Sequence, residues 1–101
     1  MNDKQPIFDV DRILHEPARL MITTILYTAE EADFLFLLQQ TGLTKGNLSA
    51  HLSKLEKEDY VEIEKTYRGK VPQTLCRLTK TGRKAFEDYR RQLNKILKEM
   101  K

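Results

Sequence analysis

At 101 residues, 40% hydrophobic and 33% charged, the chain supports one globular domain with a strongly charged surface and no second core. It has no apolar run near the roughly 18 residues of a membrane span, and its first residues lack the apolar stretch of a secretion signal. Its single cysteine, Cys76, can form no internal disulfide and cannot alone build a structural zinc site, so a reducing cytoplasm is the expected compartment.

The net charge of +3 is spread unevenly: residues 1–44 hold three Lys/Arg and seven Asp/Glu, whereas residues 45–101 hold fifteen and eight. The second half is therefore the part suited to face a polyanion, with a merely solvated basic surface as the alternative. No repeat, low-complexity tract or Pro/Gly-rich linker divides the chain, and residues 1–101 read as a single domain.

In chain order, a first helical piece is expected from about Asp9 to His15, with Ile13 and Leu14 apolar. Pro17 disfavours a helical Glu16 and suits the first turn of a new helix. That second piece carries Ala18, Met21, Ile22, Ile25 and Leu26 on one stripe and fades between Thr28 and Glu31. After Ala32-Asp33-Phe34, Leu35 to Gln40 reads as a brief helix stopped by Gly42. Thr44 is a suitable N-cap for a helix that places Leu48, Leu52 and Leu55 on one face and ends near Asp59. The pattern then changes period: Val61 and Ile63 alternate with Glu62 and Glu64 in a strand, Tyr67-Arg68-Gly69-Lys70 is a turn, and Leu75 to Leu78 is the returning strand. Pro72 belongs at the edge or start of that hairpin. Thr79 caps a long last helix to about Met100. Two adjacent strands after a helical run argue for an α+β, mainly α, domain with one hairpin.

The short helix, the Gly42 turn and the Thr44 helix make a helix-turn-helix over about residues 34–59, in which Leu35, Leu38 and Leu43 can pack on Leu48 and Leu52. The face left outside carries Lys45, Asn47, Ser49, Ala50, Ser53 and Lys54, with His51 beside it. Small hydrogen-bonding residues of this kind let a helix approach base edges in a major groove. The hairpin, about residues 60–78, then puts Arg68 and Lys70 at its tip, where cations can meet phosphates or a minor groove.

Three motifs in this order resemble the ArsR-type and MarR-type winged-helix regulators. Glu16-Pro17-Ala18-Arg19-Leu20 is similar to the opening of those proteins, Leu48-Ser49-Ala50-His51-Leu52 with Leu55 to their recognition helix, and Leu78-Thr79-Lys80-Thr81-Gly82 to the start of their last helix. The resemblance spans roughly residues 12–100. It implies a winged helix-turn-helix with a two-stranded wing and a long C-terminal dimerisation helix (about residues 80–100). It also implies a homodimer that binds double-stranded DNA at a palindromic operator, with repression the expected effect, and base or phosphate contacts by Thr44, Lys45, Asn47, Ser49, Ala50, His51 and Lys54. One departure is plain. The stretch Phe34-Leu35-Phe36-Leu37-Leu38-Gln39-Gln40 lacks the paired cysteines of metal-sensing ArsR members, so metal sensing does not carry over, and no cofactor is expected. Any small-molecule effector is left unknown.

Other residues have competing readings. His51 either lies near DNA or only covers the helix surface. Arg19 either reaches a phosphate or pairs with Glu16 or Asp33. Lys65 and Arg77 read as solvated faces or phosphate contacts, and Cys76 as a small buried hydrophobe. No nucleophile–base pair, phosphate loop or carboxylate pair supports catalysis. Self-association is expected from Phe36 and Leu37, which lie on the sides of a short helix apolar all round. It is also expected from the last-helix seam of Phe86, Tyr89, Leu93, Ile96, Leu97 and Met100; near Phe86 the alternative, that the helix lies on its own domain's core, is favoured, and beyond Leu93 a partner helix is the better account. The alternative to a DNA-binding regulator is a winged-helix module for protein–protein interaction, which would favour exposed aromatic or acidic residues on the recognition face.

Overall fold

The computed structural model describes residues 10–100. Its elements are α1 (Pro17–Ala29), β1 (Ala32–Asp33), α2 (Phe34–Thr41), α3 (Lys45–Lys57), β2 (Val61–Arg68), β3 (Val71–Leu78) and α4 (Lys80–Glu99). Ahead of α1 there is a turn rather than the expected helical piece, of which Asp9 lies outside the described residues. Pro17 explains it. Asp11 Oδ1 caps a single turn by accepting from the backbone N–H groups of Ile13 (2.8 Å) and Leu14 (3.2 Å), but Pro17 has no N–H to continue it and Glu16 before it is extended. The turn still does core work, because Leu14 is fully buried.

Each helix begins on a side-chain cap: Glu16 accepts from Arg19 N–H in α1, Asp33 from Phe36 N–H in α2, Thr44 from Asn47 N–H in α3 and Thr79 from Gly82 N–H in α4. Ala18, Ile22 and Leu26 of α1 and Leu48, Leu52 and Leu55 of α3 are buried as their spacing predicts. Thr23 is the one buried polar side chain among the described residues, and its hydroxyl is satisfied by the Arg19 and Leu20 carbonyls at 2.9 and 3.1 Å.

In α2 the inward residue is Leu37, with Phe34 and Leu38 half-buried, while Leu35 is 67% exposed. The expected contact of Leu35 with α3 is therefore replaced by the i, i+3, i+4 stripe Phe34–Leu37–Leu38. A helix apolar on every side admits several stripes, and only docking selects one. Leu37 is thereby part of this chain's own core and has no surface to offer a partner.

The sheet has three strands in the order β1-β3-β2, all antiparallel, one more than the hairpin expected. The extra strand is two residues long, with Ala32 opposite Cys76 and Asp33 opposite Leu75. Beyond Leu75 towards the hairpin tip, β3 has a partner on one side only. Pro72 sits there, opposite Tyr67, where a missing N–H is tolerated. The two-residue turn Gly69-Lys70 has φ of 65° at Gly69, the first turn position, at which a hairpin turn matching the sheet's twist takes glycine. The chain reaches α4 through Thr79, whose N–H donates to the Tyr60 carbonyl (3.1 Å) and whose hydroxyl donates to the Asp59 carbonyl (2.6 Å).

Phe86 and Tyr89 face inward from α4 at 7% and 3% exposure and belong to the core, not to a seam between subunits. Phe86 packs on Tyr27 with ring centroids 4.8 Å apart, and Tyr89 shares a 2.8 Å hydrogen bond with His15 Nδ1. Leu93 and Ile96 rest half-buried on the same core, while Leu97 and Met100 are 59% and 72% exposed. Of the residues expected at a dimer interface, Phe36, Leu97 and Met100 keep open apolar surface. No helix among the described residues is long and apolar enough to cross a membrane.

Candidate nucleic-acid interface

The α3 helix stands on three buried leucines, which fixes which residues turn outward: Thr44, Lys45, Asn47, Ser49, Ala50, Ser53 and Lys54 are all exposed. The Thr44 hydroxyl oxygen is occupied by the cap bond from Asn47 N–H (3.1 Å), so Thr44 serves first to start the helix at this point. Asp33 fixes the approach of α2. Its Oδ1 accepts from Phe36 N–H (2.7 Å) and its Oδ2 from Gln73 Nε2 (3.2 Å), tying the start of α2 to β3. The Phe36 N–H, and then the Gln73 amide, hold the Asp33 carboxyl below the usual carboxylate range.

His51 lies apart from the outward face. Its side chain is 23% exposed, with Nδ1 at 3.2 Å from Arg19 Nη1 and 3.9 Å from Glu16 Oε1. Arginine only donates, so Nδ1 accepts in this contact. Arg19 also donates from Nε to the Ile13 carbonyl (2.7 Å), and Glu16 receives the Arg19 backbone N–H. Arg19 thus makes neither of the side-chain pairings expected of it. Together with His51 it fastens α3 to the start of α1.

The hairpin has two unlike sides, set by its register. Lys65 opposite Thr74 and Tyr67 opposite Pro72 share the side of Ile63 and Cys76, whereas Glu62, Glu64 and Arg68 lie on the other. On the second side Arg77 bonds to Glu31 (2.7 Å) and Glu64 (2.9 Å), with Glu62 at 3.6 Å. Donating to Glu31, and then to Glu64, raises the already high Arg77 pKa, so this guanidinium serves the sheet and has little left for a phosphate. On the first side, a trough of about 530 Å³ separates α3 from the hairpin; Ser49, Ser53 and Glu56 line one wall and Lys65 and Thr74 the other. Phe34, Leu52 and Ile63 complete its lining. Arg68 borders a separate hollow of about 360 Å³ with Asp33, Leu35 and Gln73, and Lys70 is exposed at the tip. The placement of Lys65 beside α3 was missed in the sequence, although the parity of β2 carries it: Lys65 follows Val61 and Ile63 at a spacing of two.

Burial pushes the Cys76 thiol up to about 11, with the Asp33 charge adding to it, which suits an inert core residue. The histidines do not meet. His15 contacts Tyr89, and His51 contacts Arg19.

An outward helix of small polar residues, a preceding helix across a glycine turn and a following hairpin are the parts of a winged helix. A family model described as a winged helix DNA-binding domain matches residues 18–97. The chain belongs to this family. An uncharacterized protein of Methanocaldococcus jannaschii is 38% identical over 79 residues, covering 77% of this chain and 85% of that protein. The winged-helix domain also superposes on a transcriptional regulator homologue from Pyrococcus horikoshii at a TM-score of 0.84 and 27% identity, over 89% of each chain. The transcriptional repressor BigR of Xylella fastidiosa gives a TM-score of 0.64 at 27% identity, over 89% of this chain and 82% of its own.

Proposed function

We propose that this winged-helix protein is a homodimeric, sequence-specific DNA-binding regulator of transcription that represses from a palindromic operator. The observation that carries the reading is the outward face of α3, where Asn47, Ser49 and Ala50 leave room for base edges between Lys45 and Lys54. In the reading, α3 enters a major groove, Asn47 and Ala50 address the bases, and Ser49 lies to the phosphate side of them. Thr44, Lys45 and Lys54 serve the flanking phosphates, and His51 holds the helix at its angle, with its remaining ring edge near the backbone. Arg68 and Lys70 meet phosphates from the wing.

The net positive charge of residues 45–101 supports a polyanionic partner. The names of the Pyrococcus and Xylella proteins favour transcriptional control, and the Xylella protein favours repression. Family and fold point to a transcriptional regulator. The exposed Leu97 and Met100 near the end of α4 supply the apolar surface for a second subunit.

The experiment is repeated selection of duplexes from a random pool by the purified protein. Enrichment of an inverted repeat with half-sites about 10–10.5 bp apart, or a multiple of that, is expected. A pool that stays random while the protein remains folded would defeat the reading.

A further inference from the structure

We infer that one phosphodiester strand lies in the trough between α3 and the hairpin, gripped by Lys65 and Thr74 from the wing and by Ser49 and Ser53 from α3, with Tyr67 packed on the adjoining sugar. The inference rests on the DNA-binding reading and assigns the wing contact to the flank of the hairpin as well as to its tip. Ser49 and Ser53 are one helical turn apart, so both stand on the face of α3 that forms one wall. Lys65 and Thr74 are cross-strand partners and form the opposite wall. Three hydroxyl donors and one ammonium therefore line the same trough, a donor set suited to phosphate oxygens and indifferent to base sequence.

The charges of the two hairpin sides support the choice. Arg77, on the far side, is shared among three carboxylates, and Arg68 borders the hollow that contains Asp33. Lys65 makes no ion pair among the described residues and stands beside an apolar lining of Phe34, Leu52 and Ile63. An ammonium against a low-dielectric surface attracts a phosphate more strongly than one in open water. Glu56 also lines the trough; its charge disfavours a phosphate and confines the strand to the end near Ser49. Tyr67 continues the Lys65 side of β2 towards the tip and is 69% exposed, an aromatic surface without a partner in the chain.

The test is a salt titration of Lys65→Ala and Thr74→Val on a duplex selected by the wild type. A second measurement uses Tyr67→Trp, the only indole in a chain that has no tryptophan. Both Lys65 and Tyr67 are exposed, so these variants keep the fold, which far-ultraviolet circular dichroism verifies. For Lys65→Ala the slope of log affinity against log salt becomes shallower by about 0.9 per subunit, about 1.8 for a dimer, with site preference unchanged. Thr74→Val weakens binding a few-fold on all sequences, and fluorescence from position 67 is quenched when DNA binds. If wild type binds with ordinary salt dependence while the Lys65→Ala slope superimposes on it and the fluorescence is unmoved, the strand does not run through the trough, although DNA binding stands. A wild type with no affinity for any duplex removes both.

Discussion

Gly82 lies against the backbone of Tyr60: a Cβ at Gly82 would collide with the Tyr60 carbonyl oxygen and stand 2.8 Å from its carbon. That oxygen already accepts the Thr79 N–H, so the start of α4, the end of the α3–β2 connection and the base of the wing meet at one point. Alanine normally gains about 1 kcal/mol over glycine inside a helix. Here overpacking of roughly 1–3 kcal/mol or more opposes that gain, because the atom in the way is backbone and cannot rotate aside. Gly82→Ala should therefore lower the denaturant midpoint. A stabilised variant would mean that α4 is not seated this closely.

Removing apolar surface near the end of α4 tests the dimer without disturbing the core. Leu97→Asp combined with Met100→Asp alters two exposed positions and leaves Phe86 and Tyr89 in place. Sedimentation should give a monomer of about 11.9 kDa with the far-ultraviolet circular dichroism of wild type, and operator affinity should fall. A double variant that remains dimeric moves the interface elsewhere, with Phe36 as the next surface to test.

Recognition by α3 predicts two kinds of loss. Asn47→Ala should change which duplexes are selected, since a good base contact discriminates by about 1–3 kcal/mol. Lys54→Ala should weaken binding nearly uniformly across sequences and make the salt slope shallower by about 0.9 per subunit. If Asn47→Ala and Lys54→Ala both select the wild-type sequence, specificity does not come from the outward face of α3.

The wing tip and the sheet arginine should behave differently under salt. Replacing Arg68 and Lys70 together by alanine removes two charges per subunit, and the slope should become shallower by up to about 3.6 for a dimer if all of them meet phosphates. Arg77→Ala removes a charge already engaged by Glu31, Glu62 and Glu64, and its slope should match wild type. A shallower slope for Arg77→Ala would show that those ion pairs open on DNA.

Cys76 predicts a pH dependence of stability. Its thiol ionises near 9.0 when unperturbed and at about 11 in the fold, where burial disfavours the thiolate. A raised folded value stabilises the fold fully below the unfolded value, and that share is lost as pH rises from about 9 through about 11. Cys76→Ala should lack this component of the alkaline decline. Native protein should also react with iodoacetamide far more slowly at pH 8 than protein in denaturant, and equal rates would place the thiol outside the core.

The sequence by itself determined the features whose signal is local. Leucines at 48, 52 and 55 can share a face only in a helix, Thr44 and Thr79 are the residue type that caps one, and Val61 and Ile63 alternate as a half-buried strand does. From these the order of elements and the outward face of α3 could be read. Tertiary structure alone decided the rest, because local sequence leaves it degenerate. Two residues, Ala32 and Asp33, are too few to show a period, and they become a strand only because Cys76 and Leu75 lie alongside. In α2 every side is apolar, so docking on α1 and β3, not pattern, chose Leu37 over Leu35. Phe86 and Tyr89 have the spacing of either a core or a seam between subunits, and proximity to Tyr27 and His15 made them core. Arg19 had its expected carboxylate within reach along the chain, yet its side chain found His51, 32 residues away. Periodicity fixes which residues share a face; what that face meets depends on contacts between distant segments, and those are set by the whole core closing at once.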